Sequence, residues 1–208
     1  MKEEKDYIKD IVAMRSMMER SSKFLSLSGL ACIMVGVYAL SGAFIAYKFF
    51  HFNPDKIVDN NIQSGSLPSG FLKVVFLAII ILILAIGTAI FLSYKKANKS
   101  GEKSWNPTVR RLLINMAVPL ISGGVLILVL IFQGFIGLIA PFTLLFYGLA
   151  LYNASKFTYE ELRSLGLIEI GLGLISSYFV EYGLLFWTLG FGVVHVIYGI
   201  YLRYRYER

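Results

Sequence analysis

Residues 74–94 read VVFLAIIILILAIGTAIFLSY, 21 positions without one Asp, Glu, Lys, Arg or His. A helix rises about 1.5 Å per residue, so this stretch crosses the ~30 Å hydrocarbon core of a bilayer. An apolar run of such length marks a membrane span, and the rest of the chain repeats the pattern. Five further apolar stretches stand at about 24–47, 112–132, 135–155, 164–180 and 183–202. The composition agrees: 57% of the 208 residues are hydrophobic and 16% charged, against about 25% charged in an ordinary soluble domain. The expected fold class is an all-α integral membrane protein, a six-transmembrane-helix bundle over residues 24–208.

Residues 1–23 precede it. They mix both signs of charge and are expected to form a cytoplasmic amphipathic helix, with Tyr7, Ile8, Ile11, Val12, Met14 and Met18 on one face. That face suits the headgroup boundary or the docking of a partner protein. Between the first two spans, residues 48–73 carry Asn53-Pro54-Asp55 and Ser64-Gly65-Ser66-Leu67-Pro68-Ser69-Gly70, turn and breaker chemistry that predicts one long connection. Asn106-Pro107 is expected to break a basic connection over 95–111, and Gln133-Gly134 to turn the third span into the fourth. Thr158-x-x-Glu161 matches a capping box, starting the fifth helix near Tyr159.

Basic residues orient the bundle. Six Lys/Arg lie in the N-terminal segment, six in 95–111, two at Lys156 and Arg163, and three in the tail, 17 of the 20 in the chain. The other three are Lys48, Lys56 and Lys73. The positive-inside rule then places both termini in the cytoplasm (N-in/C-in) and accounts for the formal net charge of +7 without nucleic acid.

The chemistry available is sparse. One cysteine, Cys32, excludes an internal disulfide and a cysteine-cluster metal site, and two histidines are too few for a histidine-rich metal centre. No phosphate-binding loop or His-Glu-x-x-His string occurs, so neither a catalytic residue, a cofactor nor a metal is expected. What remains is a polar pair. Glu169 lies six residues, ~9 Å, beyond Arg163, and His195 eight residues, ~12 Å, before Arg203. At similar depth on neighbouring helices they are expected to meet in a hydrogen bond, because a lone carboxyl in hydrocarbon is costly. The tyrosines and tryptophans, among them Tyr38, Tyr47, Trp105 and Trp187, are expected at the interfaces.

Met14-Arg15-Ser16-Met17-Met18-Glu19-Arg20-Ser21-Ser22-Lys23-Phe24-Leu25-Ser26-Leu27-Ser28-Gly29, with Gly183-Leu184-Leu185-Phe186-Trp187 and Gly190-Phe191-Gly192-Val193-Val194-His195, resembles a group of multipass membrane proteins of Bacteroidota. The resemblance implies a bacterial inner membrane and carries no activity or functional residue with it. Expected partners are the lipid bilayer, a cytoplasmic or membrane protein, and a second copy of the chain. On these grounds the leading expectation is a signalling or assembly partner acting through the N-terminal helix and the basic loop. The alternative is a small-solute or proton-coupled transporter using Glu169 and His195.

Overall fold

The computed structural model describes residues 28–52, 70–99 and 105–206. The Tyr7–Met18 face of the expected N-terminal helix lies outside these residues. Every regular element among the described residues is helical. Helix α1 is Gly29–Lys48, α2 Phe71–Lys99 and α3 Pro107–Phe132. A short 3-10 turn, Ile136–Leu138, leads into α4, Ile139–Ala154, and α5 is Glu161–Tyr178. The last rod is composite: a 3-10 turn at Val180–Tyr182, α6 at Gly183–Trp187, a π-helical segment at Thr188–Val194 and α7 at His195–Tyr206. Five of the rods are long and apolar enough to cross a membrane. The exception is α5, 18 residues long, which carries Glu161, Arg163 and Glu169.

The boundaries correct the sequence reading in three places. Asn106-Pro107 starts a helix instead of breaking a connection. Asn106 Oδ1 accepts from the Val109 N–H at 2.8 Å, and Pro107 follows at the first helical position, where a missing N–H costs nothing. Helix α3 therefore begins five residues before Leu112. Helix α2 runs on through Lys95, Lys96 and Lys99, so that with Arg110 and Arg111 in α3 five of the six basic residues of the connection are helical. Finally, α5 starts at Glu161 with Glu160 at the cap position, later than the capping-box reading placed it. Gln133-Gly134 does turn the chain, with Gly134 at φ +80°, a conformation that glycine adopts without a side-chain clash.

Two seams of close backbone contact hold the rods. In the first, α4 and α5 run antiparallel: a Cβ on Gly148 would sit 2.6 Å from the Gly166 carbonyl oxygen, and one on Gly173 would sit 2.8 Å from the Leu145 nitrogen. In the second, α1 meets the composite rod. A Cβ on Gly29 would stand 2.7 Å from Arg203 N, and one on Gly36 would stand 2.7 Å from the Gly192 carbonyl oxygen. Glycine at these positions lets two backbones touch, the contact on which helix association in lipid relies. Leu151, Leu162, Leu165 and Leu202 fill the space where α4, α5 and α7 converge.

Helix α2 stands apart. Its most apolar 18-residue window contains no buried residue. Its main packing partner is α1, through Ile81 set against Gly42 and through Tyr38 Oη and Thr88 Oγ1 at 3.2 Å. Tyr38 thus ties two helices together instead of marking an interface.

The seams can be tested by contrast. Gly148→Ala should lower stability by about 1–3 kcal/mol, the usual cost of overpacking. Gly171→Ala, whose added Cβ meets nothing within 4 Å, should be neutral or slightly stabilising. Thermal unfolding midpoints of both variants in one detergent check this, and equal midpoints would refute the seam.

Candidate functional site

Three polar side chains meet in the interior between the two seams: Tyr147 from α4, Glu169 from α5 and His195 at the start of α7. Glu169 is 0% and His195 1% exposed, so both are shut off from bulk solvent. The structure brings together the two residues that the depth count paired, but not in the expected hydrogen bond. His195 Nδ1 stands 3.4 Å from Glu169 Oε1, while the same nitrogen is 2.9 Å from the Gly190 carbonyl oxygen. The Nδ1–H therefore donates to the backbone. On the other side of the ring, the Tyr147 hydroxyl lies 2.9 Å from Nε2. With Nδ1 protonated, Nε2 is the acceptor and Tyr147 the donor, which makes the neutral tautomer the one that satisfies every polar atom of the imidazole.

Local chain geometry explains why the ring's partner is Gly190. His195 follows directly on the π-helical segment, whose wider turn alters the register between backbone and side chains. Gly190 also makes room for the carboxyl group. A Cβ there would fall 2.5 Å from Glu169 Oε2 and 2.5 Å from Leu144 Cδ2. Leu144 is itself fully buried and closes the remaining side.

Neither carboxyl oxygen of Glu169 has a hydrogen-bond partner among the described residues. An isolated ionised carboxylate in such a place would forgo several kcal/mol of hydration. The carboxyl group instead stands beside the imidazole, with 3.4 Å between Oε1 and Nδ1. With one side chain from each of α4, α5 and α7, the site can lock three helices in register.

Aromatic rings surround the imidazole. Phe191 stacks on His195 at 5.9 Å between centroids, sits 4.9 Å from Tyr147, and reaches Trp187 at 5.0 Å. Sequence reasoning missed Tyr147 and the bond from His195 to the Gly190 carbonyl, although Gly190 is one of the glycines whose spacing suits close approach of the last two helices. Tyr147 was within reach of the same depth count: it precedes Lys156 by nine residues, ~13 Å, level with His195. The role of Gly190 had no sequence signal, since it depends on the π-helical turn.

A second polar group lies toward the end of α7. Glu161 Oε1 accepts from Tyr206 Oη at 2.7 Å and pairs with Arg205 Nη1 at 3.0 Å. Tyr198 Oη donates to the Glu161 carbonyl oxygen at 2.6 Å and also contacts Ser164 Oγ. These bonds fasten the start of α5 to α7, with the Glu161 pair partly exposed and worth correspondingly little.

Compared with protein-family models, with curated proteins and with solved structures, the chain matches none. Its function has to be read from its own geometry.

Removing the Tyr147 hydroxyl leaves Nε2 buried without a donor. Tyr147→Phe should therefore cost about 1–3 kcal/mol, whereas Glu169→Gln, neutral and similar in shape, should cost less than Glu169→Ala. Unfolding in detergent measures all three, and nitrogen NMR of labelled His195 should report protonation on Nδ1. A ring protonated on Nε2 alone would contradict the assignment.

Proposed function

We propose that the chain is a six-span protein of a bacterial inner membrane, with both termini in the cytoplasm, that serves as a signalling or assembly partner. In this reading the Glu169–His195–Tyr147 cluster is the lock that sets how α4, α5 and α7 pack. Residues 1–23, including Tyr7, Ile8, Ile11, Val12, Met14 and Met18, and the basic 95–111 connection form the contact surface on the cytoplasmic side.

The observation that carries the proposal is the closure of the polar cluster. Glu169 and His195 are sealed from solvent by glycine-mediated contacts on either side, as suits a group that fixes helix packing rather than one that passes a solute. Support for the sixth span comes from α5. Its 18 residues make ~27 Å of helix, its charged first turn is bonded to the end of α7, and Glu169 faces the bundle interior. A sixth crossing also gathers 17 of 20 Lys/Arg on one side. The resemblance to Bacteroidota membrane proteins supports the bacterial inner membrane.

One observation favours a second reading, a small-solute or proton-coupled transporter: both oxygens of Glu169 lack a hydrogen-bond partner among the described residues, as a proton carrier's would. Flux in proteoliposomes separates the two. Proton-coupled flux abolished by Glu169→Gln would establish transport, and flux that survives the substitution unchanged would remove Glu169 from it.

The leading proposal is tested by mild-detergent purification of the full chain beside a chain lacking residues 1–22. A stoichiometric protein present with the first and absent from the second is expected, and a partner-free oligomer from both would overturn it. Reporter fusions should place both termini in the cytoplasm.

A further inference from the structure

The first turns of α3 frame an open concavity of about 520 Å³, lined by Trp105, Asn106, Pro107, Arg110, Arg111 and Ile114. Arg110 and Arg111 are both exposed, and among the described residues neither guanidinium takes part in an ion pair. The positive charge of the wall comes from these two side chains. The helix end adds little, since Asn106 Oδ1 already accepts from the Val109 N–H and Pro107 has no N–H to offer. A guanidinium is a planar fork of donors that matches the oxygens of a phosphate group.

What lies below the arginines on the same helix face decides the ligand class. Arg110, Arg111, Ile114, Val118, Ile121 and Val125 fall within about 100° of the α3 surface, and the four aliphatic side chains of this strip are exposed. From Leu112 to Phe132 the helix carries no charged residue, a length of ~31 Å that equals one hydrocarbon thickness. The guanidiniums therefore stand at one edge of the apolar layer. Trp105, exposed beside them, is at the level where indole rings settle. A charged rim continued by an exposed apolar strip fits an amphiphile, its phosphate against the arginines and its acyl chains down the strip. A free phosphate, an acidic peptide or a nucleic acid would engage the rim and leave the strip unused. In the orientation proposed above, this end of α3 lies in the cytoplasmic leaflet, where anionic lipids attract basic side chains.

We propose that the concavity formed by Trp105, Arg110 and Arg111 binds the phosphate headgroup of an anionic phospholipid whose acyl chains lie along Ile114, Val118 and Ile121. The proposal rests on the membrane reading above. Within the basic surface assigned there to a partner protein, it gives these two arginines to lipid.

Trp105 is the reporter. The chain has two tryptophans, so Trp187→Phe leaves Trp105 alone. This parent chain is reconstituted in vesicles of unbrominated phosphatidylcholine that contain a rising fraction of phospholipid brominated near the headgroup end of its acyl chains, either phosphatidylglycerol or phosphatidylcholine. Brominated phosphatidylglycerol should quench Trp105 at a several-fold lower mole fraction than brominated phosphatidylcholine. Arg110→Gln combined with Arg111→Gln should bring the two lipids level. Lys95→Gln combined with Lys99→Gln removes the same charge from exposed positions of α2 outside the concavity and should keep the preference. Equal quenching in the parent chain, or a preference that survives the loss of both arginines, overturns the site. A preference lost in both double variants overturns it as well, because a diffuse attraction to the basic face then accounts for the binding. Inorganic phosphate added at matched ionic strength should leave the preference intact, and its abolition would assign the concavity to free phosphate instead of lipid. Size-exclusion profiles and circular dichroism establish that the variants are folded. Should the arginine pair fail to fold, Arg111→Gln alone decides, with at least a twofold fall in the preference expected and no fall overturning the site. A chain that does not reconstitute into vesicles at all refutes the membrane reading instead.

Discussion

In hydrocarbon there is no water to expel from between two helices, so apolar side chains gain little by leaving lipid for one another. What this bundle has in its place is backbone contact at glycine. The α4/α5 seam at Gly148, Gly166 and Gly173, and the α1 seam at Gly29, Gly36, Gly192 and Gly199, bring carbonyl oxygens and amide nitrogens of neighbouring helices within the space a methyl group would need. Everything else follows from where the seams run. They draw Tyr147, Glu169 and His195 into one dry pocket, and they leave α2, which meets α1 through side chains at Gly42 and Tyr38, on the outside.

That dryness governs the chemistry. The imidazole of His195 is satisfied on both nitrogens by a tyrosine and by a backbone carbonyl, while the carboxyl group beside it has shape complementarity but no hydrogen bond. A fully bonded network would have been a static strut. One with an unpaired buried member is held in place by its neighbours, and any motion that opens the pocket to water relieves that member at once.

How much of this was legible in the sequence can be judged from single residues. The apolar runs identified the rods because a bilayer admits few alternatives, and counting residues from Arg163 and Arg203 brought Glu169 and His195 to one depth. The hydrogen bond expected between them did not form because the π-helical turn presents the Gly190 carbonyl closer to Nδ1 than Glu169, and hydropathy carries no information about helical register. Asn106-Pro107 was read as a break because its composition suits a turn as well as a helix start. Only the bond from Val109 N–H to Asn106 decides between them. Tyr38 and Trp187 were assigned to an interfacial belt on position alone, but lateral packing turns one toward Thr88 and sets the other against Phe191.

The isolation of α2 has a consequence for how the protein sits in its bilayer. With 29 residues the helix is ~43 Å long, well beyond the ~30 Å of hydrocarbon, and its neighbours hold it at few points. Lys96 is one of them, its ammonium 3.3 Å from the Tyr159 hydroxyl beside α5. A helix held chiefly by side-chain contacts at Ile81, Thr88 and Lys96 takes its inclination from the thickness of the surrounding lipid. The glycine-sewn helices keep their own angles, so the spread between α2 and the rest becomes a property shared by protein and membrane.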